Sequence, residues 1–247
     1  MPNSREIATI ILCKVYSGLE LEGAISKNKS FFKLDRRDRS FVMFLVQNTL
    51  RRHAEIDEII SLFLKKPLKK KDFFIQNLLR ISVLQIIFHE IPDYSAVDCA
   101  VEISKKRGMS RLINALLRNI CRQKNNLFQK TNPVNNLPKW LLNDLNRNFG
   151  KECSKEIAYH IKNEPPLDIK LKENEIKKRK WGNLFSAKEI YKGLFRLEAG
   201  GLIEELPFYS DGLWWVQGLA ATFPVEVIKT IFKNKKKSQV SVLDVCA

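Results

Sequence analysis

A chain of 247 residues with 45% hydrophobic residues can bury one large core or two smaller ones, which excludes a disordered polymer. Its 43 Lys and Arg against 27 Asp and Glu give a formal charge of +16, pointing to a polyanionic partner. Five scattered cysteines (Cys13, Cys99, Cys121, Cys153 and Cys246) with no Cys-x-x-Cys pair exclude a disulfide framework and a zinc site.

The charge is uneven: residues 1–130 hold 24 Lys and Arg against 13 Asp and Glu. AT-rich coding and an anionic membrane surface are competing sources of such lysine runs. The stretch Met1 to Glu6 lacks the apolar core of a signal peptide, and no run approaches about 18 apolar residues, so a cytoplasmic protein with no membrane association is expected.

In chain order, Ser4 is placed to cap a helix carrying Ile7, Ala8, Ile11, Leu12 and Val15. A second helix opens at Asp35, carries Phe41, Phe44, Leu45 and Leu50, and ends near Arg51 and Arg52. Ile56, Ile59, Ile60 and Phe63 form a third stripe, closed before Pro67. The longest stripe runs from about Asp72 to Phe88, and Pro92 forbids its continuation. Ser95-Ala96-Val97-Asp98 reads as a helix start, Gly108 as a left-handed stop, and Ser110 as the cap of a helix bearing Ile113, Leu116, Leu117 and Ile120. One apolar face per helix predicts a compact all-α domain.

Lys124 to Pro138 breaks this pattern. Short helices are expected around Trp140 to Leu145, stopped by Gly150, and onward to about His160 before Pro165-Pro166. Leu167, Ile169 and Leu171 then alternate with polar residues as in a half-buried strand; Phe195 and Leu197 suggest a second strand, and Gly200-Gly201 a turn. Val240 to Val245 has the look of a buried parallel strand, whose Asp and following small residues suit the edge of a nucleotide site. Cys246 after such a strand reads as a small buried hydrophobe rather than a nucleophile, since His53, His89 and His160 offer it no partner. No Ser/His/Asp set, metal cluster or Gly-rich phosphate loop is present, so no complete catalytic site is expected.

Leu34-Asp35-Arg36-Arg37-Asp38-Arg39 with Phe41 to Arg52, then Leu79-Arg80, Gln85, Phe88, Ile91-Pro92, Ala96-Val97, Ala100-Val101-Glu102, Lys105 to Gly108 and Asn114 to Arg118, resemble the NusB-type RNA-binding domain in one order. Pro138-Lys139-Trp140-Leu141, Gly150, Pro165-Pro166-Leu167, Pro207-Phe208, Gly212 and Val216-Gln217 are similar to the connecting region of RsmB/Sun-type (NOL1/NOP2/Sun family) rRNA cytosine-C5 methyltransferases. Val242 to Ala247 resembles the opening of that family's S-adenosylmethionine motif. Gly218 departs from the pattern, which usually has Asp there.

The resemblance implies a mainly α fold. It would comprise a NusB-like all-α helical bundle over 1–125, a helical linker over 126–165, and a small α+β region over 166–247. That last region would lead into the first strand of an incomplete Rossmann-like methyltransferase domain. It implies the RNA-binding N-terminal portion of an enzyme that methylates small-subunit rRNA, truncated at the cofactor motif and inactive alone; a module that docks on a separately encoded catalytic half is a weaker alternative. S-adenosyl-L-methionine would be the cofactor, with Cys246 and Ala247 at its loop; both cysteines of the covalent mechanism would lie on later motifs. RNA contacts are expected from Arg36, Arg37, Arg39, Arg51, Arg52, Lys105, Lys106 and Arg107, basic residues flanking helices with apolar faces. The alternative is a non-catalytic NusB-like RNA-binding or regulatory protein.

Overall fold

The computed structural model describes residues 3–64, 66–89, 91–197, 203–233, 241–243 and 245. They divide into two compact units, Met1–Glu164 and Pro165–Ala247.

The first unit is helical. Helix α1 (Ser4–Tyr16) is capped by Asn3, whose side chain accepts from the Arg5 amide at 2.9 Å. Ser4 is already the first helical residue, and its hydroxyl donates across the fold to Asp38 at 2.9 Å. The sequence reading thus placed the cap one residue late. Short helices α2 (Leu21–Ser26) and α3 (Lys29–Phe32) lead into α4 (Arg36–Arg51), capped as expected by Asp35, which accepts from the Asp38 amide at 2.7 Å.

Helices α5 (His53–Phe63) and α6 (Phe73–Val83) follow, and α6 runs on through a π-helical turn at Leu84–Phe88. Helix α7 (Asp93–Lys105) starts directly after Pro92, two residues before the expected Ser95. Proline pre-sets the backbone there, and the Ser95 hydroxyl is left to accept from Arg5 Nη2 at 3.2 Å. Gly108, at φ 67°, turns the chain into α8 (Ser110–Leu127). The apolar stripes meet in one core, in which Ile11, Leu12, Leu45, Ile56, Leu78, Leu79, Ile86 and Ile120 are fully buried.

Residues 126–164 carry 3-10 turns at Phe128–Lys130 and Pro133–Asn136, then α9 (Lys139–Phe149) and α10 (Lys151–Ile161). They are tied to the bundle by side chains. Helix α5 has no capping side chain of its own, and Asn136 Oδ1 takes that role, accepting from the Ala54 and Glu55 amides at 3.0 and 3.2 Å. Asn136 Nδ2 and Thr131 Oγ1 also donate to the buried Glu55 carboxylate at 2.7 and 3.1 Å. Asn136→Ala should therefore lower stability by about 2 kcal/mol, since it leaves two helix-start amides and a buried carboxylate short of partners. Denaturant unfolding of the variant measures this, and Asn136→Asp should not restore it, because the second carboxylate faces Glu55.

The second unit is built on a four-stranded antiparallel sheet in the order β2-β3-β1-β4: β1 (Leu167–Leu171), β2 (Ala187–Tyr191), β3 (Leu194–Leu197) and β4 (Trp214–Val216). Helix α11 (Trp181–Phe185) completes a core of Ile169, Leu171, Trp181, Phe185, Phe195, Leu197 and Trp214. The strands expected at 167–171 and 195–197 are present. Edge strand β2 with its irregular register, the three-residue β4, and α12 (Leu219–Ile231), which contains Pro224, gave no periodic signal.

On the face away from that core, Asp168 is buried and receives a bidentate fork from Arg196 at 2.7 and 2.8 Å. That fork holds the Asp168 carboxyl below the usual carboxylate range, against the opposing effect of burial. A depressed folded-state value means stabilisation that is complete above the unfolded value of about 3.9 and lost as pH falls through the folded one. Acidification below about pH 4 should destabilise the second unit, and Asp168→Asn should flatten that dependence; an unaltered acid limb contradicts it.

Of the expected parallel strand, Val240 and Asp244 lie outside the described residues. Ser241, Val242 and Leu243 are in no strand, with Val242 63% and Leu243 85% exposed. Among the described residues every strand pairing is antiparallel. The Gly200-Gly201 turn and the cofactor-loop pair Cys246 and Ala247 also lie outside the described residues.

Candidate nucleic-acid interface

Two basic segments of the first unit lie at helix ends; in the first, Arg36 and Arg37 are exposed and Arg39 is half-buried. Arg36, Arg37 and Arg39 occupy the first turn of α4, where the helix dipole disfavours positive charge. Asp35 and Asp38 beside them are engaged in backbone and hydroxyl hydrogen bonds. A bound anion here would be favoured by both the guanidinium groups and the helix start.

The second basic segment, Lys105, Lys106 and Arg107, lies in the turn between α7 and α8, and all three residues are exposed. Lys105 pairs with Glu102, Lys106 stands 3.6 Å from Glu6, and the Arg107 guanidinium lies 3.9 Å from the Phe74 ring centroid. Helix α1 joins the two segments. Ser4 bonds Asp38 beside the arginines, and Glu6, two residues on, reaches Lys106. The fold thereby ties both segments to the first turn of α1, through Asp38 and Lys106, while Arg107 reaches past it to Phe74 at the start of α6, toward Cys13.

It does not bring Arg51 and Arg52 there. They close α4, about 24 Å along a 16-residue helix from Arg36. Arg52 is turned inward, its side chain only 12% exposed, with its guanidinium 4.7 Å from the Phe88 ring centroid and 3.6 Å from Glu55. Burial lowers its affinity for the proton while Glu55 opposes that effect. Burial and the Arg52 charge together hold His89 below the usual imidazole range, so His89 is neutral at physiological pH. This corner is interior electrostatics, not exposed surface.

The sequence reading missed the solvent face of α8. Arg111, Arg118 and Arg122 are all exposed there. Their spacings of seven and four residues place them on one helical face, a signal that was available.

Among the described residues no group of His, Cys, Asp and Glu is arranged to hold a metal, and no helix is long and apolar enough to cross a membrane.

Residues 2–122 match the NusB family model. The chain is 28% identical to the probable ribosomal RNA small subunit methyltransferase B of Bacillus subtilis, over 98% of this chain and 57% of the relative. It is 23% identical to the protein of that name from Synechocystis sp., over 100% and 58%, and 25% identical to ribosomal RNA small subunit methyltransferase B of Proteus mirabilis, over 99% and 59%. The chain therefore spans under two thirds of the length of these relatives. The crystal structure of PH0851 superposes with a TM-score of 0.53 at 15% identity, covering 93% of this chain and 56% of that one, a likeness of fold.

Proposed function

We propose that this chain, whose residues 2–122 match the NusB family model and which aligns along its length with ribosomal RNA small subunit methyltransferases B, is the RNA-handling portion of such an enzyme. The observation that carries this is that the basic segments at 36–39 and 105–106 are both tied to the first turn of α1, through Asp38–Ser4 and Lys106–Glu6, with the arginine face of α8 as a further basic surface. Phosphate contacts of this kind fix position and orientation on RNA without reading sequence.

The finer reading follows the family resemblance. The substrate is small-subunit rRNA, the methylated atom C5 of a cytosine, and the donor S-adenosyl-L-methionine. Cys246 and Ala247 would stand at the opening of the cofactor loop. No step of methyl transfer is assigned to a described residue, because none of them forms a cofactor cradle. What this chain contributes is binding and orientation; transfer belongs to the further length found in the relatives, whether joined to it or separately encoded.

Gel-shift titration with fragments of small-subunit rRNA tests this. Arg36→Gln/Arg37→Gln/Arg39→Gln and Lys105→Gln/Lys106→Gln/Arg107→Gln should each weaken binding by about tenfold or more, at roughly 0.5–1 kcal/mol per lost phosphate contact. Wild-type affinity in both variants would overturn the assignment. Incubated with S-adenosyl-L-methionine and rRNA, the 247-residue chain should transfer no methyl groups by itself, and clear transfer would contradict the division of labour.

A further inference from the structure

A cavity of ≈ 640 Å³ lies within the second unit, between the outer face of the sheet and α12. Lys170 and Trp215 are register partners on β1 and β4, so both project from the face opposite Leu171 and Trp214. Trp215 is 44% exposed, and its ring is tied in place by a hydrogen bond. Its indole N–H donates to Gln217 Oε1 at 2.7 Å, and the Gln217 amide donates to the Ala221 carbonyl at 3.1 Å.

The charges around it fall into two groups. Lys229 lies 3.4 Å from Glu173 and 3.3 Å from Glu226, a neutralising cluster on the α12 side that still offers carboxylate oxygens. At the mouth stand Lys172 and Lys192, held at adjoining strand ends by the 2.8 Å bond from the Leu171 amide to the Gly193 carbonyl. Neither ammonium has a side-chain partner among the described residues. Lys170, by contrast, is spent inside the unit, donating to the Lys192 carbonyl at 2.7 Å beside the Tyr191 ring.

We propose that this cavity receives one unpaired nucleotide of RNA, with its base against the Trp215 indole and its phosphate at Lys172 and Lys192. The volume falls within the roughly 300–1,000 Å³ of small-ligand sites. A flat ring of fixed orientation beside free cations is how single-stranded RNA is held, by stacking on one side and charge on the other. A free phosphate would leave the indole unused, and an apolar peptide would bury two lysines without partners. Glu173 and Glu226 oxygens stand ready to accept from an exocyclic amine or a ribose hydroxyl. The inference rests on the RNA-handling reading and extends it to the second unit.

The test uses the full chain and a 12-nucleotide single-stranded RNA carrying 4-thiouridine. Photocrosslinks are expected on peptides containing Lys170 to Lys172 or Trp215. Trp215→Ala should weaken binding about tenfold, the effect of removing one stacked base, and Trp215→Phe should largely restore it. Lys172→Gln/Lys192→Gln, both exposed positions that leave the fold intact, should make the salt dependence shallower by about 0.7, the value for the one phosphate contact that the two share. Wild-type binding by both the Trp215→Ala and the lysine variants, with crosslinks confined to 36–39 or 105–107, overturns the pocket and leaves the RNA reading standing. Failure of the wild-type chain to bind any RNA overturns both.

Discussion

Asp57→Ala should cost about 3 kcal/mol of stability, whereas Arg80→Met should cost only about 1 kcal/mol, although the two residues form a single ion pair. Arg80 is 7% exposed and donates a parallel fork to Asp57 at 2.7 and 2.6 Å, a third bond to Asn77 at 3.0 Å, and stands 4.5 Å from the Tyr16 ring centroid. Burial works against the Arg80 charge, and hydrogen bonds and charge from Asp57 more than restore it. Truncating Asp57 therefore strands a guanidinium among α1, α5 and α6. Truncating Arg80 strands only a carboxylate whose side chain is 37% exposed and which water can solvate. Denaturant unfolding of both variants decides the matter. A larger loss from Arg80→Met than from Asp57→Ala would contradict this account.

Trp181→Ala should unfold the second unit while the first stays folded. Trp181 is 1% exposed, stacks on Phe185 at 5.5 Å and 10°, meets Phe208 edge-on at 5.5 Å, and donates its indole N–H to the Glu175 carbonyl at 2.8 Å. Removing a ring from such a place costs about 3–5 kcal/mol, comparable to the whole margin of a domain this small. Amide exchange should show protection lost across 165–233 and kept in 3–164. Trp181→Phe, which keeps the ring contacts and loses the hydrogen bond, should fall between. Retained protection in Trp181→Ala would show that the second unit does not rest on this cluster.

The helical half was legible because each helix carries one long apolar stripe and because Asp35 and Gly108 are unambiguous punctuation. Boundary errors at Ser4 and Ser95 share a cause: both hydroxyls bond across the fold, to Asp38 and from Arg5, and local sequence gives no sign of a distant partner. Asn136 capping α5 from 82 residues away is the same effect in reverse. In the second unit, β2 and β4 are short and partly exposed, so their alternation is too weak to detect, and Pro224 hides α12.

The basic interface was half legible. Runs at 36–39 and 105–107 announce themselves by composition, and their union through Ser4 and Glu6 is tertiary. Arg52 has the same local chemistry as its neighbours, yet it points inward because Glu55 and Phe88 receive it. Nothing in the local sequence separates Trp215 from its neighbour Trp214. Its exposure follows only from its register opposite Lys170, which puts it on the face away from Trp214.

The central claim is that the basic end of α1, α4 and the α7–α8 turn grips RNA phosphates. Affinity for a small-subunit rRNA fragment, measured between 50 and 200 mM salt, tests it most directly. The account predicts a steep linear fall of log affinity with log salt, shallower by roughly one unit for each of the Arg36, Arg37, Lys105 and Lys106 charges removed. Affinity that does not change with salt, or a slope that survives loss of all four charges, would contradict it.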